Sequence, residues 1–162
     1  MKENGCEMRG MFLQLGNNMW SDVKVDSWAL TKKEELDDVC SKEHLRFDEA
    51  VWGRLTDRMV QRGLNAVVID IGEGYLYPSH PELSVKGSWD AEKMRKELAR
   101  LRGMGLEPIP KLNFSTAQDT WLKEYGRMVS TPEYYRVCAD VIRDVLDELP
   151  GALSEPSLDE NA

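Results

Sequence analysis

The stretch VVIDIGEGYLYPSHPEL, residues 67–83, decides how the chain is read. Val67 to Ile71 form a short, almost continuous apolar run carrying one acid, Asp70. A run of that length fits a strand buried on both faces, as in a parallel sheet. Behind it come Glu73 between two glycines, the tyrosines Tyr75 and Tyr77, and His80 between Pro78 and Pro81. The glycines and prolines predict a long irregular loop. An acid late in a buried strand and a decorated loop after it have the composition of a binding site.

Working outward, the chain alternates. MFLQLG (11–16) is a short apolar run closed by glycine, and predicts a first strand. FDEAVWGRLTDRMVQRG (47–63) predicts a helix, with Asp48 as its cap, Trp52, Leu55, Met59 and Val60 at helical spacing, and Gly63 as its stop. WDAEKMRKELARLRGMG (89–105) predicts a second helix, with Met94, Leu98 and Leu101 on one face. EPIPKLNF (107–114) predicts a third strand, of which the two prolines leave only the second half to pair well. Residues 116–128 predict a short helix. STPEYYRVCADVIRDVLDELPG (130–151) predicts the strongest one, capped by Thr131, opened by Pro132, and striped by Tyr134, Val137, Cys138, Val141, Val145 and Leu149. Tyr134 and Tyr135 are both expected in the core. The polar stretch up to about residue 46 takes no assigned element.

Strand and helix alternating three times is the pattern of parallel βαβ units, whose ligand sites lie at the carboxyl ends of the strands. Side-chain alternation puts Val68 with Asp70 on one strand face, Ile109 with Lys111 and Asn113 on the next, and Phe12 with Gln14 on the first. A face carrying Gln14, Asp70, Lys111 and Asn113 cannot pack on helices cheaply, because an unpaired buried charge costs several kcal/mol. A barrel interior opening to a polar mouth accommodates it. The expected fold class is therefore α/β, a partial (β/α)8 TIM barrel of three to four units. It spans residues 10–151 between an N-terminal tail (1–9) and a C-terminal tail (152–162). A complete open sheet of flavodoxin type would need five strands, and three are counted.

Composition narrows the function. The 162 residues carry a net charge of -8, which disfavours a nucleic-acid partner. No apolar segment reaches the roughly 18 residues of a membrane span, and no signal peptide is evident. Three scattered cysteines, Cys6, Cys40 and Cys138, point to a reducing compartment rather than a disulfide framework, and with no signal peptide the expected location is the cytoplasm. His44 and His80 lack metal-ligand spacing, so neither metal nor cofactor is expected. GEG is not a dinucleotide fingerprint, since no third glycine opens a helix after it.

The segment GLNAVVIDIGEGYLYPSHPELSVKGSW, followed by ELARLRGMGLEPIPKLNFSTAQDTWL, resembles the opening units of the (β/α)8 glycoside hydrolases related to the β-hexosaminidases, glycoside hydrolase family 20. The resemblance covers roughly residues 10–150. It implies hydrolysis of O-glycosidic bonds, a carbohydrate as partner, and a sugar-contacting role for Asp70, Glu73, His80, Lys111, Asn113, Asn18 and Trp20. Lys111 and Asn113 stand where the family carries glutamate and aspartate. Asn17, Asn18 and Trp20 stand where it carries an arginine. In the family the catalytic Asp-Glu pair follows the fourth strand. Here the corresponding region reads PGALSEPSLDENA, with Asp159 and Glu160 as the only acid pair and no apolar strand before it. The expectation is a glycosidase-like fragment that lacks a working catalytic pair, is inactive alone, and self-associates through its open sheet edge. The alternative is a non-catalytic α/β fragment that binds a carbohydrate or another partner.

Each candidate also has a structural reading. Asp70 could simply pair with Lys111 across neighbouring strands, Glu73 could be an exposed loop acid, and His80 a turn residue. Tyr75, Tyr77 and Trp89 could stack on sugar faces or pack the loop. Asn113 and Ser115 sit just past a strand end, where a side chain can meet a hydroxyl.

Overall fold

Three parallel strands organise the chain: β1 (Gly10–Gln14), β2 (Ala66–Asp70) and β3 (Glu107–Lys111), paired in the order β1-β2-β3. The computed structural model describes residues 7–18, 40–114 and 120–148. Helix α1 (Glu49–Gln61) joins β1 to β2, α2 (Ala91–Gly103) joins β2 to β3, and α3 (Pro132–Glu148) follows β3. The register aligns Gln14 with Asp70 and Asp70 with Lys111.

Local chemistry sets the helix ends. Asp48 accepts the N–H of Val51 at 2.9 Å and Asp90 that of Lys93 at 2.8 Å, each satisfying a donor the first helical turn leaves open. Thr131 caps α3 through the N–H of Tyr134 at 3.2 Å, with Pro132 in the first helical position. Gly63 and Gly105, at φ +75° and +82°, turn the chain out of α1 and α2 into the following strands.

Consecutive strand order with right-handed crossovers places α1 and α2 on the same side of the sheet. Val67 and Ile69 point that way and are fully buried, in one core with Trp52, Met59, Met94, Leu98 and Leu101. The opposite face carries Phe12, Val68 and Ile109 and, nearer the carboxyl ends, Gln14, Asp70 and Lys111. No described helix covers Phe12, which is 49% exposed.

Several expectations need correction. Both prolines of β3 lie inside the paired strand rather than before it. Their phase makes this tolerable. Glu107 N–H bonds Asn65 O, and Lys111 O accepts Ile71 N–H, so residues 107, 109 and 111 face β2. Pro108 and Pro110 turn their missing donors toward the free edge. In α1 the third inward position belongs to Thr56, which is buried, while Val60 is 37% exposed. Thr56 is tolerated there because its hydroxyl donates to the carbonyls of Trp52 and Gly53. Tyr135 is 60% exposed; only Tyr134 joins the core. Leu149 lies outside the described residues. Thr120–Arg127 forms 3-10 turns rather than an α-helix, broken at Lys123, whose φ of +53° and ψ of -127° no helix contains. Cys40 and Cys138 are free thiols. Among the described residues no helix is long and apolar enough to cross a membrane.

Candidate functional site

The carboxyl ends of the strands bring two acids into buried positions. Asp70 is the last residue of β2, and its side chain is fully buried. Lys111, aligned with it on β3, pairs with Asp70 Oδ2 at 2.6 Å, while the Lys111 ammonium also lies 5.2 Å from the centre of the Phe12 ring. These contacts put Phe12, Asp70 and Lys111 on one side of the sheet. Asp70 Oδ1 is buried with no hydrogen-bond partner among the described residues. Burial pushes the carboxyl above its usual range, and the Lys111 hydrogen bond and charge pull it back.

Glu73 follows in a 3-10 turn (Gly72–Gly74) and is 2% exposed, so it is no exposed loop acid. The segment after β1 folds over it. Glu73 Oε1 accepts the N–H of Asn17 at 2.5 Å and of Asn18 at 2.7 Å. The approach depends on glycine on both sides. A Cβ on Gly16 would stand 2.3 Å from Glu73 Cδ, and one on Gly74 would stand 2.7 Å from Leu15 Cγ. Glu73 Oε2 is buried without a partner among the described residues. Burial raises the Glu73 carboxyl first; the N–H bonds of Asn18 and Asn17 oppose it, and the charge of Asp70 adds to it.

Glu73 forms part of the wall of a cleft of about 600 Å³, which also has Asn18, Trp121 and the lysines Lys42, Lys86 and Lys123 in its lining. Asn18 contributes backbone rather than side chain. Its amide is consumed by Lys42, whose N–H it accepts and whose carbonyl it bonds, both at 2.7 Å. Trp121 is 1% exposed and donates its indole N–H to the carbonyl of Asn113 at 2.8 Å. Lys86 arrives through main-chain bonds that tie residues 43–45 to it.

His80 lies away from this cleft. Its Nδ1 meets Glu82 at 2.9 Å and its Nε2 approaches Asp140 of α3 at 3.5 Å. Ser79 donates to Asp144 from both its N–H and its hydroxyl, so the loop is pinned to α3. The tyrosines are packing residues: Tyr75 and Tyr77 are fully buried, edge to face at 5.2 Å, and Tyr77 donates its hydroxyl to Gly72 O. Trp89 packs edge-on against Phe47 beside a second groove between α1 and α2. That groove's Glu97 is already bonded by Trp52 and Arg100. Trp20, Ser115, Asp159 and Glu160 lie outside the described residues.

Sequence reading missed Trp121, Lys42, Lys86 and Lys123, which come from segments far apart in the chain. It also missed Gly16, whose place directly after a strand was the one available signal. No group of three or more metal-ligating side chains is assembled among the described residues. Two buried carboxylate oxygens, Asp70 Oδ1 and Glu73 Oε2, lack donors among the described residues, and each is able to accept a hydrogen bond. No family model, curated protein or solved structure matches the chain. Fold and site define an α/β protein with an open parallel sheet and a carboxylate-bearing cleft at its strand ends.

Proposed function

We propose that the chain is a carbohydrate-active protein, its sheet the opening units of a (β/α)8 barrel related to glycoside hydrolase family 20, with Glu73 and Asp70 accepting hydrogen bonds from sugar hydroxyls. One observation carries this reading. Two buried carboxylates at the carboxyl end of β2 each keep an oxygen without a donor among the described residues. Leaving such an acceptor unmet costs about 1–3 kcal/mol, and a polyol supplies the donors it lacks. The sequential strand order supports the barrel, because right-handed crossovers put α1 and α2 on one side of the sheet and leave the polar row on the other. The resemblance in sequence supports the sugar.

Hydrolysis of a glycosidic bond requires one carboxyl to protonate the leaving oxygen and a second group opposite it. Asp70 is tied to an ammonium and Glu73 is cradled by two N–H groups, so both are set as acceptors and assigned to holding the substrate. Binding without turnover is a second reading. The Asp70–Lys111 pair at 2.6 Å favours it, since a carboxylate neutralised in that way is neither a proton donor nor a free nucleophile.

The test is ligand-observed NMR of the purified chain with a panel of monosaccharides and methyl glycosides, alongside turnover of chromogenic β-N-acetylhexosaminides. Saturation transfer to at least one sugar, reduced by Glu73→Ala, is expected. A folded protein that contacts no sugar in the panel sinks the carbohydrate reading.

A further inference from the structure

We infer that the outer flank of α1 docks an acidic helix of a different polypeptide, one carrying carboxylates four residues apart. Arg54, Arg58 and Arg62 follow one another at that interval, with Arg62 closing the helix. Residues four apart share one face of a helix and stand about 6 Å from each other along its axis. The three side chains therefore start from a row about 12 Å long. All three residues are exposed, and with Asp57 and Gln61 they line a surface concavity of about 460 Å³. None of the three side chains makes an ion pair or hydrogen bond among the described residues.

Other arginines of the chain are matched: Arg100 by Glu97, Arg102 by Glu107, Arg136 by Glu133 and Arg143 by Asp140. The row on α1 is not explained by the helix itself. Like charges at this spacing repel and weaken the helix that carries them. A helix C-terminus favours cations, which suits Arg58 and Arg62, but the effect fades beyond the last turn. Arg54 stands about two turns before the end and gains nothing from it.

The row also points where the described molecule leaves room. The other flank of α1 is committed to α2: Glu49 meets Lys93, Trp52 bonds Glu97, and Thr56 bonds Arg100. At 3.6 residues per turn, the arginine row is centred about 150° round the helix from those contacts. Val51, 48% exposed, falls in the same sector just before Arg54 and offers an apolar contact at one end of the row. Arg62 lies just before β2 begins, at the end of the sheet opposite the cleft, so docking here is independent of any ligand held there.

Asp57 and Gln61 make a second row beside the arginines and select the partner. Polyphosphate presents anions alone, and nucleic acid an unbroken row of phosphates. Both meet Asp57 as a repulsion, in a chain already at a net charge of -8. A protein helix repeats its carboxylates at the same 6 Å rise, and sets a donor such as lysine against Asp57 on its neighbouring row. Guanidinium forks suit carboxylates in that arrangement.

The experiment is fluorescence anisotropy of a labelled alanine-based helical peptide with three glutamates at four-residue spacing, titrated with the full chain at low salt. A peptide of the same composition with its glutamates on different faces is the reference. Tripolyphosphate and a single-stranded oligonucleotide are competitors. The laddered peptide should bind about tenfold more tightly than the reference and weaken as salt is added. Arg58→Gln should weaken it about fivefold, the scale of one exposed pair. Lys96→Gln, an equally exposed change on α2, should bind as the parent does. Arg58→Glu should lose the peptide and regain it when the facing glutamate is replaced by lysine, which a misfolded variant would not do. Equal binding of the two peptides, or binding of neither, overturns the inference. Competition by tripolyphosphate or the oligonucleotide at lower concentration than the unlabelled peptide overturns it by making the row a phosphate site. Self-association of the chain that Arg58→Gln abolishes overturns it in favour of a second copy.

Discussion

Gly16 lies directly under the carboxylate of Glu73: a Cβ at residue 16 would stand 2.3 Å from Glu73 Cδ and 2.4 Å from either oxygen. The turn after β1 and the turn after β2 are thus one unit, closed by the N–H groups of Asn17 and Asn18. Gly16→Ala should destabilise by about 1–3 kcal/mol, the range for overpacking a filled site. In Glu73→Ala the obstruction is gone, so Gly16→Ala should cost much less in that background. Denaturant unfolding of the four proteins of the cycle measures the coupling, and strictly additive effects would contradict the contact.

Asp70 and Lys111 make a pair buried at one end only, with Lys111 38% exposed. Lys111→Met leaves the Asp70 carboxylate uncompensated. The expected loss is about 2 kcal/mol, below the ~3–5 kcal/mol typical of a fully buried pair, because solvent reaches Lys111. Adding Asp70→Asn to Lys111→Met should restore part of the stability. Chemical denaturation at pH 7 decides, and a double variant weaker than Lys111→Met alone would assign Asp70 a different partner.

Glu73 has its carboxyl raised from the ordinary 4.5. A raised acid in the folded state holds its proton better there than when unfolded. Its contribution to stability is complete below the unfolded value and is lost as pH rises through the folded one. Glu73→Gln carries no charge to bury, so its stability relative to the parent should improve as pH climbs above 4.5, by about 1.4 kcal/mol per unit of displacement. Unfolding free energies of both proteins from pH 4 to pH 8 measure this. A flat difference would mean that Glu73 titrates as it does in water.

His80 bonds Glu82 through Nδ1, lies 3.5 Å from Asp140 of α3 through Nε2, and stands outside the cleft. His80→Ala should therefore lower stability by about 1 kcal/mol and leave sugar affinity unchanged. Binding isotherms and melting curves for the same preparation separate the two effects. A loss of affinity with unchanged melting would return His80 to the ligand.

Much of the fold was legible because its signals are local. Asp48 and Thr131 cap helices by bonds three residues long, and Val67, Ile69 and Asp70 declare their faces by alternation alone. The Asp70–Lys111 pair could be foreseen because adjacent parallel strands with a shared phase must align such residues. The cleft was less legible. Whether Glu73 is buried depends on Gly16 from a turn 57 positions earlier, and no periodicity connects them. Lys86 and Lys123 reach the same rim through main-chain pairing and a left-handed residue, neither of which a side-chain pattern encodes. The prolines of β3 were misread because their effect depends on which edge they face. That is a property of the neighbour, not of the strand.

That phase has a consequence for assembly. Pro108 and Pro110 take two donors out of the outer edge of β3, so any strand laid beside it, a fourth barrel strand or another copy, finds carbonyls but must supply every N–H itself. The outer edge of β1 carries no proline, so Gly10, Phe12 and Gln14 each have an N–H. A head-to-tail filament would have to join a β1 edge to a β3 edge at each step, and every joint would contain the defective side. Only β1 against β1 offers a full complement of partners, and that contact is two-fold and closes on itself. The prolines thus act as a chain terminator for sheet growth, steering any self-association of the exposed sheet to a finite pair instead of a fibre.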